Sequence, residues 1–243
     1  MDCMKTSRYN ERKEEIIIMK ISMINGSPKV ATSCSGLLLD QLQKDILKKT
    51  NSSSNNITLY RINRNPLSDI DIAEIIKSDI IVVAFPLYVD GIPSHMLAAL
   101  YQLEKAFTNS SVSPETTFYG IINNGFSEGF QNQHAANMLK LFCQRAGISF
   151  GQVFATGAGE MIRSMIEANA PFGEGPLSFV KKDWESFVDC ITRQESASSV
   201  FCSLKMPGWL FRAIGNHTFW KPTAKKNGIS EKQMSRRLSY SPK

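Results

Sequence analysis

The segment INGSPKVATSCSGLLLDQL, residues 24–42, concentrates small and hydroxylated residues between two hydrophobic stretches. Gly26 permits backbone geometry that other residues avoid, and Ser27 supplies a hydroxyl. Within TSCS, residues 32–35, hydroxyl groups, a thiol and backbone N–H donors fall at the start of a predicted helix, whose dipole favours an anion. This combination predicts a site for a phosphate monoester. An ordinary serine-rich helix cap would use the same residues and remains the alternative.

Two other kinds of phosphate site do not fit the spacing. The P-loop requires Gly-Lys-Ser/Thr and the dinucleotide fingerprint requires G-x-G-x-x-G, and neither occurs in this segment. Cys34 lies at a helix N-terminus, where the pKa of a thiol is expected to be lowered, so a cysteine phosphatase must also be considered. Such a phosphatase has a C-x5-R loop, in which arginine is the sixth residue after the cysteine. The sixth residue here is Asp40 after Cys34 and Ser149 after Cys143. We therefore expect Cys34 to be a phosphate-loop donor and not a nucleophile.

Two further loops carry residues suited to a flat ring. The loop FPLYVDGIPSHML offers apolar and aromatic side chains and a permissive glycine, namely Leu87, Tyr88, Val89 and Gly91. The loop NNGFSEG, residues 123–129, adds two amides, Gly125 and Phe126. A phosphate cradle next to ring-binding loops predicts a mononucleotide. FMN is the mononucleotide that also explains the lack of catalytic side chains, because the cofactor carries the chemistry.

In this order and spacing, GSPK, TSCSGLLL, PLYVDGIPSHML and INNGF resemble the motifs of the NADPH-dependent FMN reductase family of flavodoxin-like proteins. The resemblance covers roughly residues 16–157. It implies a doubly wound sheet of order 2-1-3-4-5, non-covalent FMN and a homodimer. It also implies hydride transfer from NAD(P)H to FMN and then to a quinone, flavin, nitro or similar small acceptor. The iron–sulfur relatives carry a cysteine cluster that this sequence lacks, which excludes that subgroup.

Carried over position by position, the resemblance implies a cofactor site in three parts. The phosphate loop would contain Ser27, Lys29, Ser33, Cys34 and Ser35. The isoalloxazine and ribityl groups would lie against Pro86, Leu87, Tyr88, Val89 and Gly91. The other side of the ring would meet Asn124, Gly125 and Phe126. Many relatives have arginine in place of Lys29 and Asn-Thr in place of Ser33-Cys34, so the phosphate donors differ from those of the family. No catalytic side chain and no metal ligand is expected.

The elements that must position these loops alternate between strands and helices. Buried-strand patterns cover residues 15–24, 57–62, 79–86, 116–123 and 149–157. Apolar residues at helical spacing follow the opening loop and recur at 69–78 and 177–193. Two further predicted helices lie between these, one that begins at Pro93 and another that ends at Gly147. This alternation predicts an α/β fold with a five-stranded parallel sheet covered on both faces. Its ligands would bind beyond the carboxyl ends of the strands, where the strand order reverses.

One segment does not fit the alternation. GAGEMIRSMIEANAPFGEGP, residues 157–176, is rich in glycine and proline and is interpreted as a long, mobile excursion. Glu160 or Arg163 could line the nicotinamide side of the pocket. His134 could relay a proton to a reduced quinone, but we expect His95, His134 and His217 to be structural or solvated.

Length and charge suggest one domain with appendages. A chain of 243 residues, 42% hydrophobic and 21% charged, suits a flavodoxin-like domain at 16–195, a polar segment at 1–15 and a basic, helical C-terminal extension at 196–243. The extension holds nine lysines or arginines against one acidic residue, Glu231. Such a charge could meet phosphate, an acidic partner or an anionic membrane surface, but docking on the body or on a second subunit is the expectation. No nucleic-acid partner is expected.

The cysteines and the absence of targeting signals indicate the cytoplasm. The five cysteines lie far apart, with no C-x-x-C pattern and no Cys/His spacing for zinc. The polar start does not read as a signal peptide, and no segment approaches about 18 uninterrupted apolar residues. Two alternatives to the enzyme stay open: an FMN electron carrier without its own nicotinamide site, and an interaction module that uses the basic extension.

Overall fold

Six strands form one parallel sheet in the order β2-β1-β3-β4-β5-β6. The computed structural model describes residues 19–50, 56–63, 66–110 and 115–236. The strands are β1 (Ile21–Asn25), β2 (Ile57–Arg61), β3 (Ile80–Pro86), β4 (Thr117–Asn123), β5 (Ser149–Thr156) and β6 (Val200–Cys202). The central strands β1, β3 and β4 are buried almost throughout, because helices cover both faces of the sheet.

Helices connect the strands and cover the sheet. They are α1 (Cys34–Thr50), α2 (Asp69–Ile75), α3 (Ser94–Asn109), α4 (Gln133–Ala146), α5 (Gly159–Glu167), α6 (Lys181–Thr192), α7 (Gly208–Gly215), α8 (Lys221–Lys226) and α9 (Glu231–Met234). One apolar cluster joins the sheet to α3 and α4, and a second joins the opposite face to α1 and α6. Helix α4 ends at Gly147, because its φ of 70° is left-handed and glycine adopts this conformation without steric cost.

The five predicted strands are confirmed, in the predicted order 2-1-3-4-5. For the four predicted strands that lie wholly within the described residues, the observed bounds differ from the predicted ones by a few residues at most. Residues 1–15, and the start of the first predicted strand, lie outside the described residues. The strand count of five is wrong, because β6 pairs in parallel with Phe154–Thr156 of β5. This sixth strand lies in the segment assigned to the C-terminal extension. Three residues are too few to show a strand periodicity, and the pairing depends on the exposed edge of β5.

The long excursion predicted at 157–176 is also wrong in part, because it contains helix α5. The helix is amphipathic and buries Ile162 against the sheet. Its start is held by the N–H of Gly159, which donates to the carbonyl of Asn124 at 2.8 Å. A 3₁₀ turn at Gly175–Val180 then leads into α6, which begins at Lys181 and not at 177.

The loop after β4 is joined to the end of β6 by hydrogen bonds of its backbone N–H and C=O groups. The N–H of Gly129 donates to the Ser203 hydroxyl at 3.0 Å, and the N–H of Leu204 donates to the Ser127 carbonyl at 2.9 Å. The two segments approach so closely that a Cβ on Gly129 would lie 2.3 Å from the Cys202 carbonyl oxygen. We call this junction the β6 seam (residues 127–129 and 202–204). It fixes the loop after β4 against the edge of the sheet.

The close packing at the β6 seam predicts that alanine will destabilise the protein at one glycine of this loop and not at another. Gly129→Ala should lower the free energy of unfolding by about 1–3 kcal/mol, because the methyl group displaces backbone that cannot give way as a side chain can. Gly125→Ala is the matched control, since a Cβ there meets nothing within 4 Å, and its effect should stay within about 0.5 kcal/mol. Urea unfolding followed by circular dichroism measures both. Equal midpoints for the two variants would show that the seam is not tightly packed.

Candidate functional site

The loops after β1, β3 and β4 meet at the carboxyl edge of the sheet and enclose a cleft of about 200 Å³. The strand order reverses between β1 and β3, so the cleft lies at the switch point where doubly wound sheets bind ligands. Helix α5 closes the fourth side with its first turn. The lining residues are Ser27, Lys29, Ser33, Cys34, Ser35, Pro86, Leu87, Tyr88, Asn123, Asn124, Gly125, Gly159 and Glu160.

The loop after β1 is held in shape by its own polar groups. The Asn25 side chain accepts from the N–H of Ser27 at 3.0 Å. A ring nitrogen of His95 lies 2.9 Å from the Gly26 carbonyl oxygen, which ties the loop to α3. No Cβ could be placed at Gly26 without displacing Met96, because it would lie 2.6 Å from the sulfur. His95 therefore makes a structural contact with the loop after β1.

The N-terminus of α1 opens into the cleft. Ser33 precedes the helix, and its hydroxyl accepts from the N–H of Gly36 at 3.1 Å, which satisfies one of the donors that the first turn leaves free. The N–H groups of Cys34 and Ser35 have no acceptor within the helix. With the Ser27 hydroxyl and the Lys29 ammonium beside them, the cleft offers neutral donors, one cation and the positive end of a helix dipole. This donor set fits a phosphate group.

A chain of charged side chains crosses the mouth of the cleft. The Lys29 ammonium lies 3.3 Å from a carboxylate oxygen of Glu160. Arg163 bonds both Glu160 and Glu167 along the exposed side of α5. The hydrogen bond from Arg163, reinforced by Lys29, holds the pKa of Glu160 below its usual range despite partial burial. Glu160 is therefore ionised at neutral pH and competes with any bound anion for Lys29.

The loop after β3 contains a strained turn. Tyr88 and Gly91 bond each other through their backbones, at 3.1 and 3.0 Å, and close a two-residue turn. Both central residues have positive φ, 47° at Val89 and 58° at Asp90. A β-branched valine is a rare occupant of this region, and such strain is concentrated at functional sites. The turn leaves Tyr88 half exposed beside the cleft and projects Val89 fully into solvent.

The loop after β4 supplies the amides of the cleft. The Asn123 side chain donates to the Ser35 hydroxyl at 2.8 Å and so links β4 to the first turn of α1. The Asn124 side chain accepts from the N–H of Phe126 at 2.8 Å and donates to the Glu128 carbonyl at 3.0 Å. These bonds orient the backbone of Gly125 along the wall of the cleft. Phe126 is half exposed and is not among the lining residues.

The structure brings together ten of the thirteen residues predicted for the cofactor site. Val89, Gly91 and Phe126 lie next to the cleft and do not line it. The cofactor site carried over from the resemblance does not include Asn123, although its amide is one of the two counted in the NNGFSEG loop, and it does not include Gly159. Glu160 is a sequence-based candidate for the nicotinamide side of the pocket but is expected in a mobile loop. Asn123, the first asparagine of INNGF, ends β4, and Gly159, the second glycine of GAGEM, follows β5, so position at the carboxyl end of a strand is the signal that could have identified them.

Cys34 differs from the sequence-based expectation in one respect. Its thiol is buried, and burial, with a further contribution from Glu160, raises its pKa from an ordinary value of 9.0 to about 12. The expected lowering by the helix N-terminus is therefore outweighed by loss of hydration. The thiol stays protonated, so Cys34 is not a nucleophile. The described residues contain no His/Cys/Asp/Glu group suited to a metal ion, and His134 is exposed outside the cleft.

The comparisons with known proteins define the class of fold. No protein-family model matches the chain, and neither does any curated protein. Among solved structures, an NADH:FMN oxidoreductase in its apo form is similar at 15% identity and a TM-score of 0.53, covering 74% of this chain and 91% of that one. With the observed 2-1-3-4-5 order of the first five strands, this likeness assigns the chain to the flavodoxin-like fold.

Two further solved structures are similar at lower scores. The general stress protein 14 of Treponema denticola, in complex with FMN, is 12% identical, with a TM-score of 0.48 over 71% of this chain and 99% of that one. A WrbA-like flavodoxin from Agrobacterium tumefaciens is 13% identical, with a TM-score of 0.47 over 73% of this chain and 99% of that one. At such identities the similarity concerns the fold alone.

The raised pKa of Cys34 predicts slow alkylation. At pH 8 a thiol of pKa about 12 holds roughly a thousandfold less thiolate than one of pKa 9.0. Native protein treated with iodoacetamide should therefore leave the Cys34 peptide unmodified, whereas the same treatment in urea should alkylate it. Peptide mass spectrometry measures both states. Equal labelling rates in the two states would contradict the buried, protonated thiol.

Proposed function

We propose that the protein is an FMN-dependent NAD(P)H oxidoreductase that reduces a small flat acceptor such as a quinone, a nitro compound or a free flavin. The observation that carries the proposal is the donor set at the N-terminus of α1, next to loops that offer aromatic and amide groups at a switch point. Bound FMN would accept a hydride from one substrate and return it to another, which no side chain can do. The similar oxidoreductase structure is consistent with this assignment through its fold alone.

The chain's own residues would hold and orient the cofactor. The first turn of α1, with the hydroxyls of Ser27 and Ser33, would bind the phosphate. Lys29 would exchange the Glu160 carboxylate for a phosphate oxygen, so the cradle needs little rearrangement. A cleft of about 200 Å³ is smaller than the pockets that enclose whole ligands, so the ring system would extend past its mouth. There the half-exposed Tyr88 could contact it.

An open mouth suits a shared site for two substrates. The rings of Tyr88 and Phe126 are about half exposed and lie in the loops that flank the cleft. Flat substrates could therefore reach the cofactor in turn, and neither would need a side chain as acid or base. The family resemblance predicts NAD(P)H as the donor without choosing between NADH and NADPH. It also predicts a homodimer, and both stay predictions. A cytoplasmic location also stays a prediction.

Substitution of Lys29 tests the orientation of the cofactor. Lys29→Met should weaken FMN binding about tenfold, because one charge-assisted hydrogen bond to the phosphate is lost. Riboflavin has the same ring and no phosphate, so its affinity should change less than about twofold. Quenching of flavin fluorescence on titration measures both dissociation constants.

Two further variants make this test specific. Lys48→Met removes an exposed lysine from the last turn of α1, far from the cleft, and should change neither affinity. Glu160→Gln removes the competitor for Lys29 and should strengthen FMN binding, the opposite sign to Lys29→Met. A parallel loss of FMN and riboflavin affinity in Lys29→Met would mean that Lys29 does not meet the phosphate.

Anaerobic mixing of the FMN-loaded protein with NADH or NADPH tests the reaction. The visible absorbance of the flavin should bleach with at least one donor and return when a quinone is added. An electron carrier would bind FMN and keep it oxidised in the presence of both donors. Failure of the purified protein to bind FMN at all would overturn the cofactor assignment itself.

A further inference from the structure

A helical segment leaves the body of the protein at the β6 seam, and we call residues 205–236 the C-terminal tail. Its elements are α7, a π-helical stretch at Asn216–Trp220, α8 and α9. The seam anchors the base of the tail, because Leu204 and Ser203 bond the loop after β4. The tail therefore emerges from the carboxyl edge of the sheet, on the side of the cofactor cleft.

The tail packs mainly on itself. Its extensive contacts run between α7, the π-helical stretch, α8 and α9, and no extensive contact joins them to the described strands or helices of the body. Helix α7 buries no residue, and α8 buries Ala224. Large apolar side chains consequently face solvent, namely Trp209, Ile214, Phe219, Trp220, Ile229 and Met234. The described elements thus show no extensive docking of the tail on the body, and docking on a second subunit stays a prediction.

The tail also carries most of the excess positive charge. Residues 205–236 include seven lysines or arginines and one acidic residue, Glu231. Glu231 is already paired with Lys221 at 3.0 Å. Among the remaining six cations, Arg212 lies between the exposed Trp209 and Phe219 in the sequence, and Lys225 and Lys226 follow Phe219 and Trp220, whose ring centroids lie 5.1 Å apart. The tail therefore needs a partner that is both anionic and able to bury apolar groups.

We propose that the C-terminal tail docks on the surface of an anionic lipid bilayer. Exposed Trp, Phe and Ile side chains alternating with Lys and Arg are the composition of helices that lie in the membrane interface. Tryptophan prefers the headgroup level, and clustered basic residues are attracted by anionic lipid. No helix in the described part of the chain has the length and hydropathy of a membrane span. The proposal does not depend on the cofactor.

Charge complementarity disfavours the most apolar groove of a second copy as the partner of the tail. This groove of about 620 Å³ lies between α3 and α4, with Leu97, Tyr101 and Leu141 exposed. Its lining contains one acidic residue, Glu104, which is already bonded to Arg145 at 2.7 Å. The groove could bury the rings of the tail but would leave its cations without counter-charges.

Nucleic acid supplies the negative charge but not the apolar phase. Bases can stack on Trp209 and Trp220, yet they do not cover aliphatic side chains such as Ile214 and Met234. A bilayer interface accommodates both kinds of side chain. The aliphatic residues therefore favour lipid.

Co-sedimentation of the full chain with vesicles tests the proposal. The protein should bind vesicles that contain phosphatidylglycerol and should not bind vesicles of phosphatidylcholine alone, and added salt should weaken binding. Lys225→Glu combined with Lys226→Glu should reduce binding at least tenfold. Lys181→Glu combined with Lys182→Glu is the matched control, since it makes the same charge change at an exposed pair on α6 and should retain binding.

Tryptophan emission gives a second readout. Trp209 and Trp220 are exposed and Trp184 is buried in the body, so a blue shift on vesicle addition reports insertion of the tail. Replacing both tail tryptophans by alanine should weaken co-sedimentation with anionic vesicles and leave the circular dichroism of the body unchanged.

Several results would overturn the proposal. They are absence of binding to anionic vesicles, equal binding by the two lysine double variants, and equal binding to neutral vesicles. Tail-dependent dimers in light scattering, or nucleic-acid binding without vesicle binding, would instead assign the tail to the corresponding partner.

Discussion

The first turn of α1 carries backbone N–H groups that no carbonyl within the helix can accept, and the carboxyl edge of the sheet is organised around them. Their position is rigid, because α1 buries Leu38, Leu39, Leu42 and Ile46 against the sheet. Asn123 fixes the Ser35 hydroxyl from the side of β4. A ligand that uses these donors therefore meets a preformed cradle, and the entropy cost of ordering the loop is met in folding.

The charges around the cradle are balanced by α5. Lys29 is the cation nearest to the donors, and Glu160 holds it at the mouth of the cleft. Arg163 keeps Glu160 ionised, so the pair is retained at neutral pH. Exposed ion pairs of this kind contribute little to stability. They affect ligand binding instead, because an anion that enters the cleft must compete with the Glu160 carboxylate for the Lys29 ammonium.

The β6 seam connects this edge of the sheet to the C-terminal tail. Gly157 and Gly129 allow the loop after β4 and the end of β6 to approach at backbone distance, and the tail begins directly beyond. The wall of the cleft and the base of the tail are thus parts of one hydrogen-bonded unit. Contact of the tail with a surface would place the cleft close to that surface.

The sequence by itself determined the alternation of buried strands and amphipathic helices, because side-chain periodicity is a local property of the chain. It also placed the phosphate loop, since a helix N-terminus with Ser27, Ser33 and Ser35 attracts an anion wherever the helix lies. Only the tertiary structure decided which side chains share the cleft. Asn123 and Glu160 come from distant segments, and Val89 is turned away by a two-residue turn. Burial reversed the expected pKa shift of Cys34, and β6 formed because β5 offered an edge. Desolvation and strand pairing arise between segments, so local patterns do not record them.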